Sequence, residues 1–490
     1  MRTYCCPCPR SGGGPVVSTP GGGCVPSVTS VPQAKPGSAP PPPAARRTAW
    51  ADGLDELRGA TRTEPGRLRA IGAVLALLVL LFGAVTAWQV TDRADAAREV
   101  AESSQPLSAD AADLYRSLAD ADTTAASGFL AGGDEPRDTR ARYAADLATA
   151  SELLVKAAGS TRMTDAAGHH ISTINRLLPR YTGLVETARA DNRQGLPLGG
   201  AYLRYANERM RGELLPAARA WYDTETGRLA ADHAAATAWP WASLTAGAAA
   251  ICALGWAQRR SYLRTNRVFN RGLVTATAAS VMLLLWLVVG HTTARAGLGE
   301  AFDNGARSLR VLNEARIDTL RARGDENLTL VARGARLTGD QQDFYEAGFR
   351  SGMKDLAGGA AHGPAAPGSA LGTALAMADD EAGRQPVRRA VAQLREWQQR
   401  HAQARAADDK GDYDQALRRV IGTDRPTRES FDRVDAALRG AVAHEQDQFR
   451  QAADDGRGAF GGLAAGACAL AVVGAAGAVL GIGRRLSEYR

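Results

Sequence analysis

The chain has 490 residues, a formal net charge of +7 and an isoelectric point near 9.2, and only 6% of its residues are aromatic. With 53 Gly, many Ala and few aromatic residues, the composition favours helices that contact one another through small side chains, and it argues against a β-sheet core. The basic balance is a sum over unlike segments, so it does not by itself indicate a nucleic-acid-binding protein.

The N-terminal part, residues 1–69, is predicted to be a disordered cytoplasmic tail. Residues 1–45 are of low complexity and include the run SAPPPPAA, a composition that cannot build a packed core. Cys5 and Cys8 form a C-x-x-C pair, but the segment offers no His and no second well-spaced pair, so disordered sequence is favoured over a metal site. The tail also lacks the apolar region of a signal peptide.

Four uncharged stretches are each close to the roughly 20 residues that cross the hydrocarbon core of a bilayer. We predict transmembrane helices at residues 70–90, 236–257, 272–290 and 458–483. The first is the most convincing. The fourth is the weakest, because it is mostly Ala and Gly, and its alternative is a buried helix of a soluble domain.

A short loop between the second and third stretches, residues 258–271, contains no acidic residue. Its five arginines are Arg259, Arg260, Arg264, Arg267 and Arg271. Short basic loops resist translocation, so we place this loop, the N-terminus and the tail at residues 484–490 in the cytoplasm. The loop is then a topology determinant that also contacts anionic lipid head groups. Fourteen residues between membrane helices supply no folded element for reading DNA, so we expect no nucleic-acid partner.

The two long connections, residues 91–235 and 291–457, mix acidic and basic residues and are predicted to be extracytoplasmic. In the first, apolar residues recur at threes and fours, as at Leu114, Leu118 and Ala121, which predicts four helices in an up-and-down bundle. Neither connection contains a cysteine, so both fold by packing alone. The predicted fold class is an all-α membrane protein with four transmembrane helices and two extracytoplasmic helical bundles.

The second connection resembles a weak repeat of the first. In both, a polar helix ends in an apolar, glycine-containing exit (FLAGG; LVARG), a charged turn follows, and an aromatic residue, Tyr143 or Tyr345, opens the next helix. The order span–bundle–span, arginine loop, span–bundle–span indicates an internal duplication. Helical sensor bundles often pair across a two-fold axis. We expect this chain to satisfy that pairing with its own two bundles, and a homodimer is the alternative.

No motif for catalysis or metal binding is found in the sequence. The seven histidines make no H-E-x-x-H pair, and there is no phosphate-binding loop, nucleophile elbow or kinase signature. The predicted spans contain no Asp, Glu, Lys or Arg, which argues against a pump or coupled transporter, because these need intramembrane ionisable groups. A passive channel is left open. We expect a protein that is not an enzyme and has no cofactor.

Two further features are candidate functional residues. Arg204, Asn207, Glu208 and Arg211 lie on one side of a predicted helix and form a candidate partner face, with a solvated charged surface as the alternative. Pro240 is located where the last outer helix of the first bundle would become the second span. It is either a hinge that shapes how bundle movement enters the membrane, or a proline tolerated in the first turn of a new helix.

With this architecture, the chain resembles the GlnX-type membrane proteins of actinobacteria, over roughly residues 65–485. The segments that carry the resemblance are AYLRYANERMRGELLPAARAW and RESFDRVDAALRG, together with the four spans, the two outer domains and the basic loop. The resemblance implies an amino-acid-sensing relay. An extracytoplasmic solute-binding lipoprotein reports acidic amino acids to the membrane protein, which influences a soluble Ser/Thr kinase of the PknG type. The resemblance supplies no ligand-contact residues, and the Cys- and Pro-rich tail is not part of its pattern.

We therefore expect a non-enzymatic sensor in the cell membrane, with both termini in the cytoplasm, that relays nutrient status to a cytoplasmic kinase. Two alternatives stay open: a structural or assembly scaffold of the cell envelope, and a chemoreceptor-like sensor that binds a small molecule directly between bundle helices. A ligand-dependent change in partner binding separates the relay from the scaffold. Tight binding of a small molecule to the outer domains favours the direct sensor.

Overall fold

A computed structural model describes residues 64–160, 165–265, 270–359, 362–458 and 460–487. Within these ranges the chain is helical apart from turns and one isolated β-bridge between Leu337 and Asp343, which confirms the all-helical fold class. The predicted N-terminal tail as far as residue 63, Arg267 of the basic loop and the last three residues lie outside the described residues.

The helices form two series, one in each half of the chain. The first half, residues 64–265, contains α1 (Glu64–Glu99), α2 (Gln105–Leu130), α3 (Arg137–Ser160), α4 (Ala166–Arg193), α5 (Leu198–Arg209), α6 (Leu215–Thr237) and α7 (Trp241–Thr265). The second half, residues 270–487, contains α8 (Arg271–Glu300), α9 (Arg307–Ala332), α10 (Phe344–Ala357), α11 (Ala370–Met377), α12 (Glu381–Asp408), α13 (Tyr413–Ile421), α14 (Thr427–Gly458) and α15 (Leu463–Ser487). Three π-helical segments join consecutive helices: Val100–Ser104, Met210–Leu214 and Ala301–Ala306.

The two outer segments share one hydrophobic core, where the sequence suggested two bundles. The buried cluster joins side chains of the first half, such as Leu118 and Trp221, to side chains of the second half, such as Leu320 and Trp397. At its centre α2 packs against α9. Each of these helices has 26 residues and follows a π-helical segment. The two halves therefore pair inside one chain, and the internal duplication stays a prediction.

Three helical stretches among the described residues are long and apolar enough to cross a membrane by length and composition. They are Gly66–Leu130, Arg271–Gly299 and Thr427–Arg484, and they contain the first, third and fourth predicted spans. The second predicted span, residues 236–257, begins in the last turn of α6, crosses the break at residues 238–240 and continues in α7, which is not among them. Its Ala, Gly, Ser and Thr residues dilute the apolar contribution of Leu and Ile. By composition the weakest of the four stretches is thus the second, and not the fourth as the sequence suggested.

The apolar helices and α7 pack together through small residues. Ala250 of α7 shares a buried cluster with Phe82, Leu283 and Ala467 of the three apolar helices. Glycines bring α15 close to its neighbours: a Cβ added at Gly272 of α8 would lie 2.4 Å from the carbonyl oxygen of Gly477. Small residues at helix contacts are typical of membrane bundles, because close approach maximises packing where no hydrophobic effect drives association.

Large apolar side chains are exposed on the outside of the same helices. Leu77 is 66% exposed, Leu285 60% and Leu480 70%. Many large apolar side chains exposed on one set of helices are unfavourable in water and mark contact with lipid or another protein. Trp88, Trp241 and Trp256 are also exposed, as expected of aromatic rings at a membrane boundary. These features support a membrane protein.

Candidate functional site at the seam between the two halves

The seam, where α2 and the segment Met210–Leu214 meet α9, is polar although it is buried. Thr123 Oγ1 shares its proton between the carbonyl oxygen of Ala119 in its own helix (2.9 Å) and that of Leu320 across the seam (3.2 Å). Asn327 Nδ2 donates to Ser127 Oγ (2.7 Å) and to the Thr123 carbonyl (3.3 Å). Buried polar groups need partners, and here three of the four bonds go to the other half. These bonds therefore fix the register of α2 on α9.

Ion pairs continue the contact on both sides of these hydrogen bonds. Arg211 Nη1 donates to Asp325 Oδ1 at 2.5 Å, and the Asp325 side chain is only 4% exposed. Among the described residues, five more pairs join the halves at their surface: Arg142–Asp432 (3.2 Å), Arg219–Glu314 (2.8 Å), Arg336–Glu208 (3.4 Å), Arg428–Asp138 (3.1 Å) and Arg457–Glu102 (2.9 Å). Each exposed pair contributes little by itself, whereas the buried Asp325 depends on Arg211 for compensation of its charge.

A buried carboxyl group lies beside the seam in the first half. Asp122 of α2 accepts hydrogen bonds from Tyr181 Oη of α4 (3.2 Å) and from Asn207 Nδ2 of α5 (2.5 Å). All three side chains are buried. The carboxyl group therefore ties α4 and α5 to the central helix, so that a shift of α2 is transmitted to both.

A cavity of about 320 Å³ opens at this point of the seam. Its polar lining comes from both halves, with Tyr115, Asp122, Arg211 and Arg219 on one side and Arg321 on the other. Apart from Thr123, its remaining walls are apolar. A concave site with apolar walls and a few convergent polar groups is the usual form of a small-molecule site.

A second buried polar cluster lies within the second half, around His401 of α12. His401 Nδ1 lies 2.9 Å from Glu326 Oε1 of α9, and Nε2 lies 2.9 Å from Glu346 Oε2 of α10. The ring also stacks on Phe349, with 3.7 Å between ring centroids. Trp397 Nε1 donates to Glu326 at 3.0 Å, and Arg323 donates to the same carboxylate. One imidazole therefore connects three helices.

The pKa values in this cluster are shifted in opposite directions. Burial opposes charge on His401, but its hydrogen bonds to Glu326 and Glu346 outweigh burial and raise its pKa. Burial alone would raise the pKa of Glu346, but the His401 and Arg350 donors lower it to about 2. The pKa of Glu326 is lowered in the same way, by Arg323 and His401 against the effect of burial. The cluster therefore holds a cationic imidazole between two carboxylates.

The helix break that contains Pro240 is held by arginines of two membrane helices. α6 ends at Thr237 and α7 begins at Trp241, and the Pro240 carbonyl accepts the first helical hydrogen bond of α7 from Leu244 N (3.0 Å). Arg93 of α1 donates to the carbonyl oxygens of Ala238 (2.8 Å) and Trp239 (3.2 Å), and Arg295 of α8 donates to that of Thr237 (2.9 Å). The proline thus stands before the first turn of α7, where its missing N–H costs nothing. The carbonyls freed by the break are satisfied by α1 and α8.

The four residues of the candidate partner face have different surroundings. Asn207 is buried against Asp122, and Arg211 pairs with Asp325 of the second half. Glu208 is exposed and pairs with Arg336, also of the second half. Arg204 is half-buried. Much of this helix side therefore contacts the other half of the same chain.

The basic loop is described only at its ends. Arg259 is exposed, and the Arg260 guanidinium lies 5.3 Å from the centre of the Trp256 ring. Arg264 lies in the last turn of α7, and Arg271 is the first residue of α8 and is exposed. These positions leave Arg259 and Arg271 accessible to solvent or lipid head groups.

Sequence reasoning missed both the seam and the His401 cluster. α9 looks like a solvated helix because it is rich in charge, yet Arg316, Arg323, Asp325, Glu326 and Asn327 are all buried. Apart from the pair of Arg323 with Glu326, which are three residues apart, their partners are between 71 and 204 residues away along the chain, so no local motif indicates them. Within the described ranges, no group of three or more His, Cys, Asp or Glu side chains is arranged to hold a metal ion.

Comparison with known proteins adds one finding. No curated protein and no solved structure matches the chain. Residues 96–234, which run from the end of α1 to the last turn of α6, match the family model described as the actinobacterial sensor domain. This range includes every residue that the first half contributes to the seam cavity. The first outer segment is therefore similar to actinobacterial sensor domains, which supports a sensor role in a membrane protein.

Proposed function

We propose that the protein is a transmembrane sensor that relays an extracytoplasmic signal to a cytoplasmic partner. The observation that carries this proposal is the sensor-domain match over residues 96–234, in a segment whose first helix continues from a membrane helix. A helical bundle joined to membrane helices can transmit shifts of an ångström or two across the membrane.

The shared core supports four spans and a location of both outer segments on the same face of the membrane. The chain between these segments contains α7 and α8, and α8 is apolar enough to span. If α8 alone crossed, the two halves would lie on opposite sides, which is incompatible with their common core. α7 then crosses as well, and its packing beside Phe82 and Leu283 supports this. With the positive-inside rule, the basic loop and both termini are cytoplasmic.

The break between α6 and α7 supplies a route for the signal. Arg93 and Arg295 attach the end of α6 to α1 and α8, so a displacement of α6 pulls on two membrane helices as well as on α7. Without these contacts, a break in the chain would uncouple the outer helix from the membrane. In this proposal Pro240 supplies the break, and Arg93 and Arg295 transmit the movement of α6 across it to the membrane helices.

The finer form of the proposal is a nutrient relay. An extracytoplasmic solute-binding lipoprotein reports acidic amino acids to the outer domain, and the cytoplasmic loop and tails influence a Ser/Thr kinase. The resemblance of the sequence to GlnX-type proteins supports it. The cavity at the seam favours the second candidate, a sensor that binds a small molecule directly.

The test is a crosslinking pull-down of the full-length protein from its native membrane, with and without aspartate or glutamate, followed by mass spectrometry. We expect capture of a solute-binding lipoprotein and a cytoplasmic kinase, in amounts that change with the amino acid. The Arg93→Gln variant should keep the lipoprotein and lose the amino-acid dependence of the kinase. Arg98→Gln is its control, because Arg98 is an exposed arginine of the same helix that pairs with the neighbouring Asp95. Capture of cell-wall or division proteins alone, indifferent to the amino acid, would overturn the relay and favour the scaffold.

A further inference from the structure

Three guanidinium groups converge on the seam cavity. Arg211 and Arg219 enter it from the first half and Arg321 enters from the second, against the single carboxyl group of Asp122 in the lining. Arginine presents five N–H donors in a planar fork that matches a carboxylate. The cavity is therefore rich in donors for a bound anion.

Arg321 is the guanidinium with the most donor capacity left. Its contacts to Asp318 Oδ1 and to Tyr115 Oη are both 3.4 Å long, at the far end of the hydrogen-bond range. Its side chain is 54% exposed, so the cavity is open to solvent beside it. By contrast, Arg211 donates to Asp325 at 2.5 Å and Arg219 donates to Glu314 at 2.8 Å. A ligand oxygen can take donors from Arg321 without breaking a short ion pair.

The backbone beneath Arg211 leaves room for its guanidinium group. A Cβ added at Gly324 of α9 would lie 3.2 Å from Arg211 Nη2 and 3.5 Å from Thr123 Oγ1. The absence of a side chain at this position lets the arginine of one half lie directly on the central helix of the other half. The glycine thus keeps Arg211 at the cavity wall.

The size and the walls of the cavity limit the kind of anion. Its volume of about 320 Å³ exceeds the needs of an inorganic ion. Leu215 and Pro216 of the first half and Ile317 and Leu320 of the second provide apolar contact. A molecule with one charged end and a short apolar body fits both features, because burial of its hydrocarbon part adds to the charge-assisted hydrogen bonds.

We propose that the seam cavity binds a small organic carboxylate, held by Arg321 with Arg219 and Arg211, and that this ligand bridges the two halves. The inference rests on the proposed sensor function and deepens it by naming the ligand class and the residues. Because the lining comes from α2, the Met210–Leu214 segment, α6 and α9, an occupied cavity stabilises one spacing of the halves. A ligand acts on a sensor only through such a difference between states.

The test is isothermal titration calorimetry on the full-length protein in lipid nanodiscs. Succinate and butyrate are the carboxylate probes, and 1-butanol is the uncharged probe of similar size. The variants are Arg321→Gln and the matched control Arg450→Gln, since Arg450 is an exposed arginine of α14 outside the cavity that pairs with Asp447. A thermal unfolding scan of each variant verifies that it is folded.

We expect at least one carboxylate to saturate one site per chain and 1-butanol not to bind. Arg321→Gln should weaken that binding by roughly ten- to a hundredfold, the loss of one charge-assisted contact, and Arg450→Gln should leave it unchanged. The absence of saturable carboxylate binding to the folded protein, or equal binding by Arg321→Gln, would overturn the inference. If calorimetry shows no carboxylate binding but the pull-down captures the lipoprotein and the kinase, the relay still stands. If only the pull-down fails, carboxylate binding that depends on Arg321 favours direct sensing.

Discussion

Replacement of His401 by Leu removes the imidazole that joins α9, α10 and α12. His401 is 5% exposed, and it donates to Glu326 and Glu346 at 2.9 Å each. The variant leaves both carboxylates in place and takes away a cation that each of them contacts. We expect the outer domain to lose stability for this reason, while the helices themselves keep their propensity to form.

The size of the expected loss of stability follows from the hydrogen bonds that the variant removes and from the contacts that remain. A hydrogen bond to a charged group contributes about 1.5–3 kcal/mol, and two such bonds disappear. Glu326 keeps its bonds from Arg323 and Trp397, and leucine restores part of the apolar contact with Phe349. The free energy of unfolding should therefore fall by about 3–5 kcal/mol, which is close to the combined contribution of the two lost bonds.

The assay is thermal unfolding of the full-length protein in nanodiscs, followed by circular dichroism. His169→Leu is the matched control, because His169 is an exposed histidine at the start of α4, and its effect should stay within about 0.5 kcal/mol. If His401→Leu unfolds at the same temperature as the wild type, the cluster does not stabilise the fold and the reasoning is refuted.

Three further predictions concern pH, the seam and the membrane helices. Because the pKa of His401 is raised above 6.5 in the folded protein, protonated His401 contributes stability below pH 6.5 that is lost as pH rises through the folded pKa. Because the pKa of Glu346 is lowered from 4.5 to about 2, ionised Glu346 contributes stability above pH 4.5 that is lost as pH falls through the folded pKa. The unfolding difference between wild type and His401→Leu should therefore be largest between pH 4.5 and 6.5, and a difference that does not vary with pH would contradict this. Asn327→Ala, which removes two hydrogen bonds across the seam, should lower the free energy of unfolding by about 1–3 kcal/mol in the same assay; no change would mean that these bonds do not hold the halves together. Gly272→Leu should push α8 away from α15 and lower the free energy of unfolding by about 1–3 kcal/mol. Gly299→Leu on the same helix has open space around it and should be tolerated, and equal effects of the two variants would argue against the close contact.

The helices of the first outer segment were predictable because their apolar residues repeat with the helical period. Leu114, Leu118 and Ala121 form a buried face of α2, as the spacing indicated. The glycines and the proline between residues 130 and 137 end one helix and precede the next. These are local signals, and they need no knowledge of the rest of the fold.

The seam was not predictable, because its determinants are pairings between distant residues. A charged residue in a helix is normally solvated, and nothing near Asp325 in the sequence shows that Arg211 will neutralise it. The same holds for His401, whose partners lie in α9 and α10. The candidate partner face was identified by helical spacing, but spacing does not tell which neighbour the face will meet, and the structure places the second half there.

The number of spans shows a different limit of sequence reasoning. α7 is too rich in Ala, Gly and hydroxyl residues to qualify by hydropathy, and the common core of the outer segments is what supports its crossing. The hydropathy of a helix depends on its own residues alone and does not show on which side of the membrane the connected segments lie. A shared core constrains the number of crossings between two segments.

The most direct test of the account is the side of the membrane on which each segment lies. Single cysteines at Glu152, Arg259 and Arg439, introduced into a variant without its six native cysteines, would be labelled in intact cells with a membrane-impermeant maleimide. All three native side chains are exposed. We expect labelling at 152 and 439 in intact cells, and at 259 only after the membrane is permeabilised. Labelling of 152 and 439 from opposite sides would contradict the shared extracytoplasmic core, and with it the proposed sensor.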